Sequence, residues 1–171
     1  GGVTFSDLYL REFANPDADG LTLNSGNAKL DLVFEAGRQS LRQNALDLFM
    51  DCPGRERAGW IGDSYYTAQA AAELFGNLSV ETNQFENYAL PEVFPDIPHG
   101  TLPKCYPADD RRGRFIPTFC FWFVLQLAAY AEKGGDKDVI STLEQHVHDL
   151  FDYFTRFRNE HGLLENLKSW V

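Results

Sequence analysis

Thirteen residues between two helical patterns, Asp51-Cys-Pro-Gly-Arg-Glu-Arg-Ala-Gly-Trp-Ile-Gly-Asp63, hold three carboxylates, two arginines and a tryptophan. Pro53, Gly54, Gly59 and Gly62 prevent Asp51, Glu56 and Asp63 from sharing one straight helical face, so they must lie on a loop. A loop can fold three carboxylates round a pocket. Where two or three converge, mutual repulsion and partial burial raise the pKa of one, which then holds a proton near neutral pH and donates it to a leaving group. Glu56 has the longest reach and sits mid-loop, so it is the candidate general acid. Arg55 and Arg57 would oppose this if they turned toward it, whereas Arg55 paired with Asp51 or Asp63 would leave Glu56 free. Asp63 is expected to stay ionised at the N-terminus of the following helix and to accept hydrogen bonds from substrate hydroxyls. Trp60 offers a flat apolar surface with one N–H donor, suited to the carbon face of a sugar ring. A purely architectural reading of the same residues makes Asp51 and Asp63 caps, the arginines and Glu56 surface ion pairs, and Trp60 a corner of the core.

The elements around this loop are mostly helical. Leu30, Val33, Phe34, Gly37, Leu41, Ala45 and Leu48 share one face, which predicts a helix over residues 28–48 with Asn24, Ser25 or Asn27 as caps. Asp63 is expected to cap a helix over 64–75 that ends at Gly76, and a shorter helix is predicted over 79–90. Six of the eight prolines lie between Pro91 and Pro117, so a long irregular loop is expected there, and loops of that length are usually functional. Residues 118–133 are apolar nearly all round at their start and predict a buried helix; a last helix follows over about 137–159. Val3 to Phe13 is rich in β-branched and aromatic residues and reads as a strand or two, closed by the turn-forming Asn15 to Gly20. The chain thus opens within a strand-like pattern and stops at Leu167 to Val171 without a helix stop, as a fragment of a longer protein would.

Composition narrows the functional classes. The chain has 171 residues, 44% of them hydrophobic, enough for one sizeable core. A formal charge of −10 argues against nucleic acid as a partner, because that binding needs clustered Lys and Arg. The longest apolar stretch, Phe119 to Ala131, is interrupted by Gln126 and falls short of the roughly 20 residues of a membrane span, so a soluble protein without a membrane partner is expected. Its compartment is not legible. Cys52, Cys105 and Cys120 lack metal-ligand spacing, and His99, His146, His148 and His161 form no zinc pattern, so neither metal nor cofactor is expected. Glu160, Glu165, Trp122, Trp170 and the run Asp109-Asp110-Arg111-Arg112 read mainly as solvated or packed scaffold.

The thirteen-residue stretch resembles the catalytic-loop signature of the family 78 glycoside hydrolases, the α-L-rhamnosidases: Asp-Cys-Pro-x-Arg-Glu-Arg followed by Gly-Trp-x-Gly-Asp. The resemblance continues through Phe34 to Gln43, Phe115-Ile-Pro117 and His161 to Val171. It implies an inverting hydrolase of terminal α-L-rhamnose whose catalytic domain is an (α/α)6 barrel following β-sandwich domains. On that mapping residues 1–23 are the trailing β segment of a preceding domain, and 24–171 are the first part of the barrel. Glu56 matches the general acid, Asp51, Arg55 and Asp63 match residues that orient the sugar hydroxyls, and Trp60 matches the pocket wall. The implied partners are a rhamnoside substrate and the remainder of the parent protein. An inverting reaction needs a second carboxylate roughly 6.5–9.5 Å from the acid. The resemblance puts that general base downstream of Val171, so these residues alone are expected to be inactive. A non-catalytic helical module that binds glycans or serves as scaffold is the alternative, predicting binding of rhamnose without cleavage.

Overall fold

The computed structural model describes residues 2–108 and 114–167. Five α-helices follow a short 3-10 helix at Pro16–Asp19: α1 (Ala28–Asn44), α2 (Ile61–Phe75), α3 (Ser79–Ala89), α4 (Pro117–Glu132) and α5 (Lys137–Thr155). Local chemistry explains most of their limits. Asn27 caps α1 by accepting from the amides of Lys29 and Leu30, and Asp136 does the same for α5. Gly76, at φ 66°, closes α2 in the left-handed conformation that glycine adopts without steric cost. Pro117 begins α4, where its missing N–H loses no helical bond.

The predicted strands at the start of the chain do not form. Residues 2–14 carry no regular secondary structure, and Val3, Phe5, Leu8, Tyr9 and Leu10 are all exposed. Strand-forming composition yields a strand only when a neighbour supplies ladder partners, and none does among the described residues. The next turn is docked instead: the amide of Asn15 bonds to the carbonyl of Arg42 at 2.8 Å and its side chain to that of Ala45 at 2.7 Å. Those bonds sit at the C-terminus of α1, which ends at Asn44 and not at Leu48. Beyond it the chain turns through a bridge between Ala45 and Phe49.

Two other limits differ from the sequence pattern. α2 begins at Ile61, three residues early, because the amide of Ile61 bonds to the carbonyl of Lys104 at 3.1 Å and Trp60 bridges to Cys105. Asp63 therefore lies inside the first turn and caps nothing. α5 stops at Thr155, where the chain curls into a turn tied by a bridge between Arg158 and Leu164. The expected helix over 79–90 is present, with Asn77 accepting from the amide and hydroxyl of Ser79 just ahead of it.

The core follows from α4, which is apolar on nearly all sides. Cys120, Phe123 and Tyr130 of α4 are fully buried with Phe85 and Tyr88 of α3, Leu143 and Leu150 of α5, and Ile61 of α2. A smaller cluster of Leu41, Ala45, Phe49, Ala68, Ala71 and Val80 joins α1 to α2. Gly62 lets α2 approach α4: a Cβ there would lie 2.6 Å from the ring of Phe119. The long connection from α3 to α4 lies across this core through Leu102 and Phe115 and reaches back to the 51–60 loop.

Candidate active site

The 51–60 loop is closed by its own first residue. Asp51 donates its amide to the carbonyl of Ala58 at 3.1 Å and accepts from the amide of Ala58 through Oδ1 at 3.0 Å, so the intervening Cys52–Arg57 segment bulges outward. Arg57 takes a left-handed φ of 52° at the return of this bulge. The far end is pinned to the Pro-rich connection: Tyr106 donates its amide to the carbonyl of Gly59 at 3.1 Å. A Cβ on Gly59 would meet that Tyr106 carbonyl at 2.7 Å, so glycine is required by the close approach of two backbones.

These constraints bring part of the predicted constellation together. Asp51 and Asp63 line one open cavity of about 380 Å³, with Ser40, Leu41 and Asn44 of α1, Met50, and Tyr66, Thr67 and Ala70 of α2. Glu56 stands beside Asp51: one ligand atom each from Asp51, Cys52 and Glu56 lies within 4.8 Å of the other two. Glu56 does not itself line that cavity. Arg55 pairs with Glu56 at 2.5 Å, and its side chain is 87% exposed. Trp60 is half-buried, edge-on to Phe119 at 6.4 Å, with the ammonium of Lys104 5.2 Å from its ring centre.

The directions of the pKa shifts reverse those expected from sequence. Hydrogen bonding from Arg55 pulls the Glu56 carboxyl down to about 2, with the Cys52 thiol adding a second donor at 3.3 Å. Glu56 is therefore ionised at neutral pH in this arrangement. Asp63 moves the other way: partial desolvation raises its pKa, and the nearby charges of Asp51 and Glu56 raise it further. The early start of α2 explains this, since Asp63 does not accept the cap hydrogen bonds that would have favoured its charged form.

Asp51, Cys52 and Glu56 also form the closest group of cation-ligand types among the described residues. Both carboxylate oxygens of Glu56 are already engaged, Oε1 by Arg55 and Oε2 by Cys52, so the group reads better as a hydrogen-bonded cluster than as a cation site.

The other polar candidates lie apart from the cavity. Glu160 pairs with His161 at 3.5 Å on the surface, and Glu165 accepts from Asn159 at 3.3 Å. His146 meets the carbonyl of Pro91 at 3.3 Å, and His148 lies 3.8 Å from Glu144. Trp122 stacks on Phe119 at 5.4 Å and packs edge-on to Tyr66 at the same distance. The Asp109–Arg112 run and Trp170 lie outside the described residues. Sequence reasoning missed two neighbours of the site. Tyr66 was detectable, because it lies one turn beyond Asp63; Lys104, only 5% exposed beside Trp60, had no signal within the Pro-rich connection.

No helix among the described residues is long and apolar enough to cross a membrane. No curated protein and no solved structure matches the chain. Residues 19–171 match the bacterial alpha-L-rhamnosidase 6 hairpin glycosidase domain, a glycoside hydrolase family whose helical architecture fits the five helices described above. With that match spanning nearly the whole chain and a carboxylate-bearing loop between α1 and α2, the chain belongs to the bacterial α-L-rhamnosidase six-hairpin glycosidase domain family.

Proposed function

We propose that this chain is part of an inverting glycoside hydrolase that removes terminal α-L-rhamnose, within a complete (α/α)6 barrel to which the rest of the parent protein contributes. The observation that supports this reading most is that Asp51 and Asp63 line one open cavity at the start of α2 while Glu56 stands beside Asp51 at its edge. Glu56 is the general acid, Asp51, Arg55 and Asp63 orient the sugar hydroxyls, and Trp60 bounds the sugar site. Asp51 and Glu56 are too close together to admit an attacking water between them, since an inverting pair stands roughly 6.5–9.5 Å apart. Asp51 is therefore not the general base; on this reading the base comes from the rest of the parent protein, and residues 1–171 alone do not turn over.

A proton donor must hold its proton, and Arg55 works against that in the structure described here. Arg55 is solvent-facing and also feels the charge of Asp51. On this reading bound sugar draws Arg55 away from Glu56, the carboxyl loses its strongest charged hydrogen bond, and its pKa rises toward the working range. Hydrolysis of an aryl α-L-rhamnoside by the complete protein, with the product anomer followed by NMR, tests the assignment. Glu56→Gln should lower kcat by about 10²–10⁴-fold with a modest change in KM. An unaffected rate would remove Glu56 from the chemistry.

The raised pKa of Asp63 favours a second reading in which Asp63 is the proton donor. It predicts that Asp63→Asn, and not Glu56→Gln, abolishes the alkaline limb of the pH profile. A protein that binds rhamnose and cleaves no rhamnoside would instead be a glycan-binding module.

A further inference from the structure

α2 presents Asp63, Tyr66, Thr67 and Ala70 at i, i+3, i+4 and i+7, and this single side forms one wall of the cavity that also contains Asp51. Leu41 and Met50, 7% and 8% exposed, line the same cavity. Its chemistry is two-sided. The Asp51 and Asp63 carboxylates accept O–H groups and Ser40, Asn44 and Thr67 add neutral polar groups, while Leu41, Met50, Ala70 and the ring of Tyr66 offer apolar surface. Tyr66 is 61% exposed, yet its ring is braced edge-on by Trp122 at 5.4 Å and by Tyr65 at 5.2 Å. An exposed aromatic ring held on two sides is a preorganised contact surface, because little side-chain entropy remains to be lost on binding.

We propose that Tyr66 is a specificity-determining residue: with Leu41 and Met50 it forms the surface on which the C6 methyl of a 6-deoxy sugar packs while Asp51 and Asp63 hold the ring hydroxyls. The proposal rests on the rhamnosidase reading of this site and adds the element that rejects sugars carrying a hydroxymethyl group instead. A hydroxymethyl group pressed on Leu41, Met50 and the Tyr66 ring would place its O–H against side chains that offer at most the weak thioether of Met50 as acceptor. An apolar pocket discriminates by about 10–200-fold against such a change.

The test compares kcat/KM of the complete protein for aryl α-L-rhamnoside and aryl α-L-mannoside, which differ only at C6. Wild type should favour the rhamnoside by tens-fold or more. Tyr66→Ala should shrink that ratio by about 10-fold, whereas Tyr66→Phe should retain it. Met50→Gln, which preserves length and adds polarity, should shrink it as well. Circular dichroism of each variant confirms an intact fold. A wild type that cleaves both sugars equally, or a Tyr66→Ala ratio equal to that of wild type, overturns the role of Tyr66 and leaves the rhamnosidase reading standing. Cleavage of neither sugar overturns both.

Discussion

At the scale of single residues, the decisive contact is the 2.5 Å pair between Arg55 and Glu56. It joins two neighbouring side chains at the surface, where pairs of this kind add little stability, but it holds the Glu56 carboxyl toward its charged form. Glu56 sits near a pKa of about 2 because Arg55 donates to it, so removing the donor returns it toward the ordinary carboxylate value of 4.5. A general acid is active while protonated, and its deprotonation defines the alkaline limb of the rate profile. Arg55→Ala should therefore move the alkaline limb of kcat/KM upward in pH while raising KM, as a sugar-orienting cation is lost. A pH–rate series on the complete protein measures both effects, and a limb that stays in place would detach Arg55 from the acid.

At the scale of elements, the junctions between helices matter more than the helices. Gly62 allows α2 to lie against Phe119 and Trp122, whose rings stack at 5.4 Å and so cannot easily part. Gly62→Ala should cost about 1–3 kcal/mol through overpacking and displace the first turn that carries Asp63. Urea unfolding reports the first effect, and loss of activity at unchanged helix content reports the second.

Between α3 and α4 a different junction is polar. Gln126 donates to Oε1 of Glu81 at 3.1 Å, while Oε2 of Glu81, Oε1 of Gln126 and both amide atoms of Gln84 are buried without partners. Burial raises the pKa of Glu81. Below about 4.5 both the folded and unfolded chains hold this proton; above it the unfolded chain releases the proton first, so this group's contribution to stability falls as pH rises through the raised value. Glu81→Gln removes the titration. The stability difference between variant and wild type should shift in favour of the variant from pH 4 to pH 7, as measured by urea midpoints across that range. A difference that is flat with pH would mean that Glu81 titrates alike in the folded and unfolded chains.

At the scale of the whole molecule, Phe123 joins α4 to α3 through ring contacts at 5.3 Å with Phe85 and 5.0 Å with Tyr88, and it is fully buried. Tyr88 in turn touches Tyr106, the residue whose amide pins Gly59 of the carboxylate loop. The core and the site therefore share one continuous set of contacts. Phe123→Ala should destabilise the fold by about 3–5 kcal/mol, read by thermal or urea unfolding, because the surrounding rings cannot collapse into the space left.

The sequence alone determined the local features. Helical periodicity, a cap among Asn24, Ser25 and Asn27, and the Gly76 stop depend on interactions spanning a few residues, so α1 to α5 could be placed from them within a few residues at each end. The thirteen-residue motif pointed to the carboxylate loop and to the family for the same reason: its content is local. Only the tertiary structure decided the rest. The strand-like composition of residues 3–13 found no pairing partner, and the α1 and α2 limits were moved by bonds to Asn15 and Lys104, residues distant in sequence. The opposite pKa shifts of Glu56 and Asp63 followed the direction in which Arg55 turned and the residue at which α2 began. Hydrogen-bond partners and desolvation are set by what packs nearby in space, and a linear pattern does not contain that information.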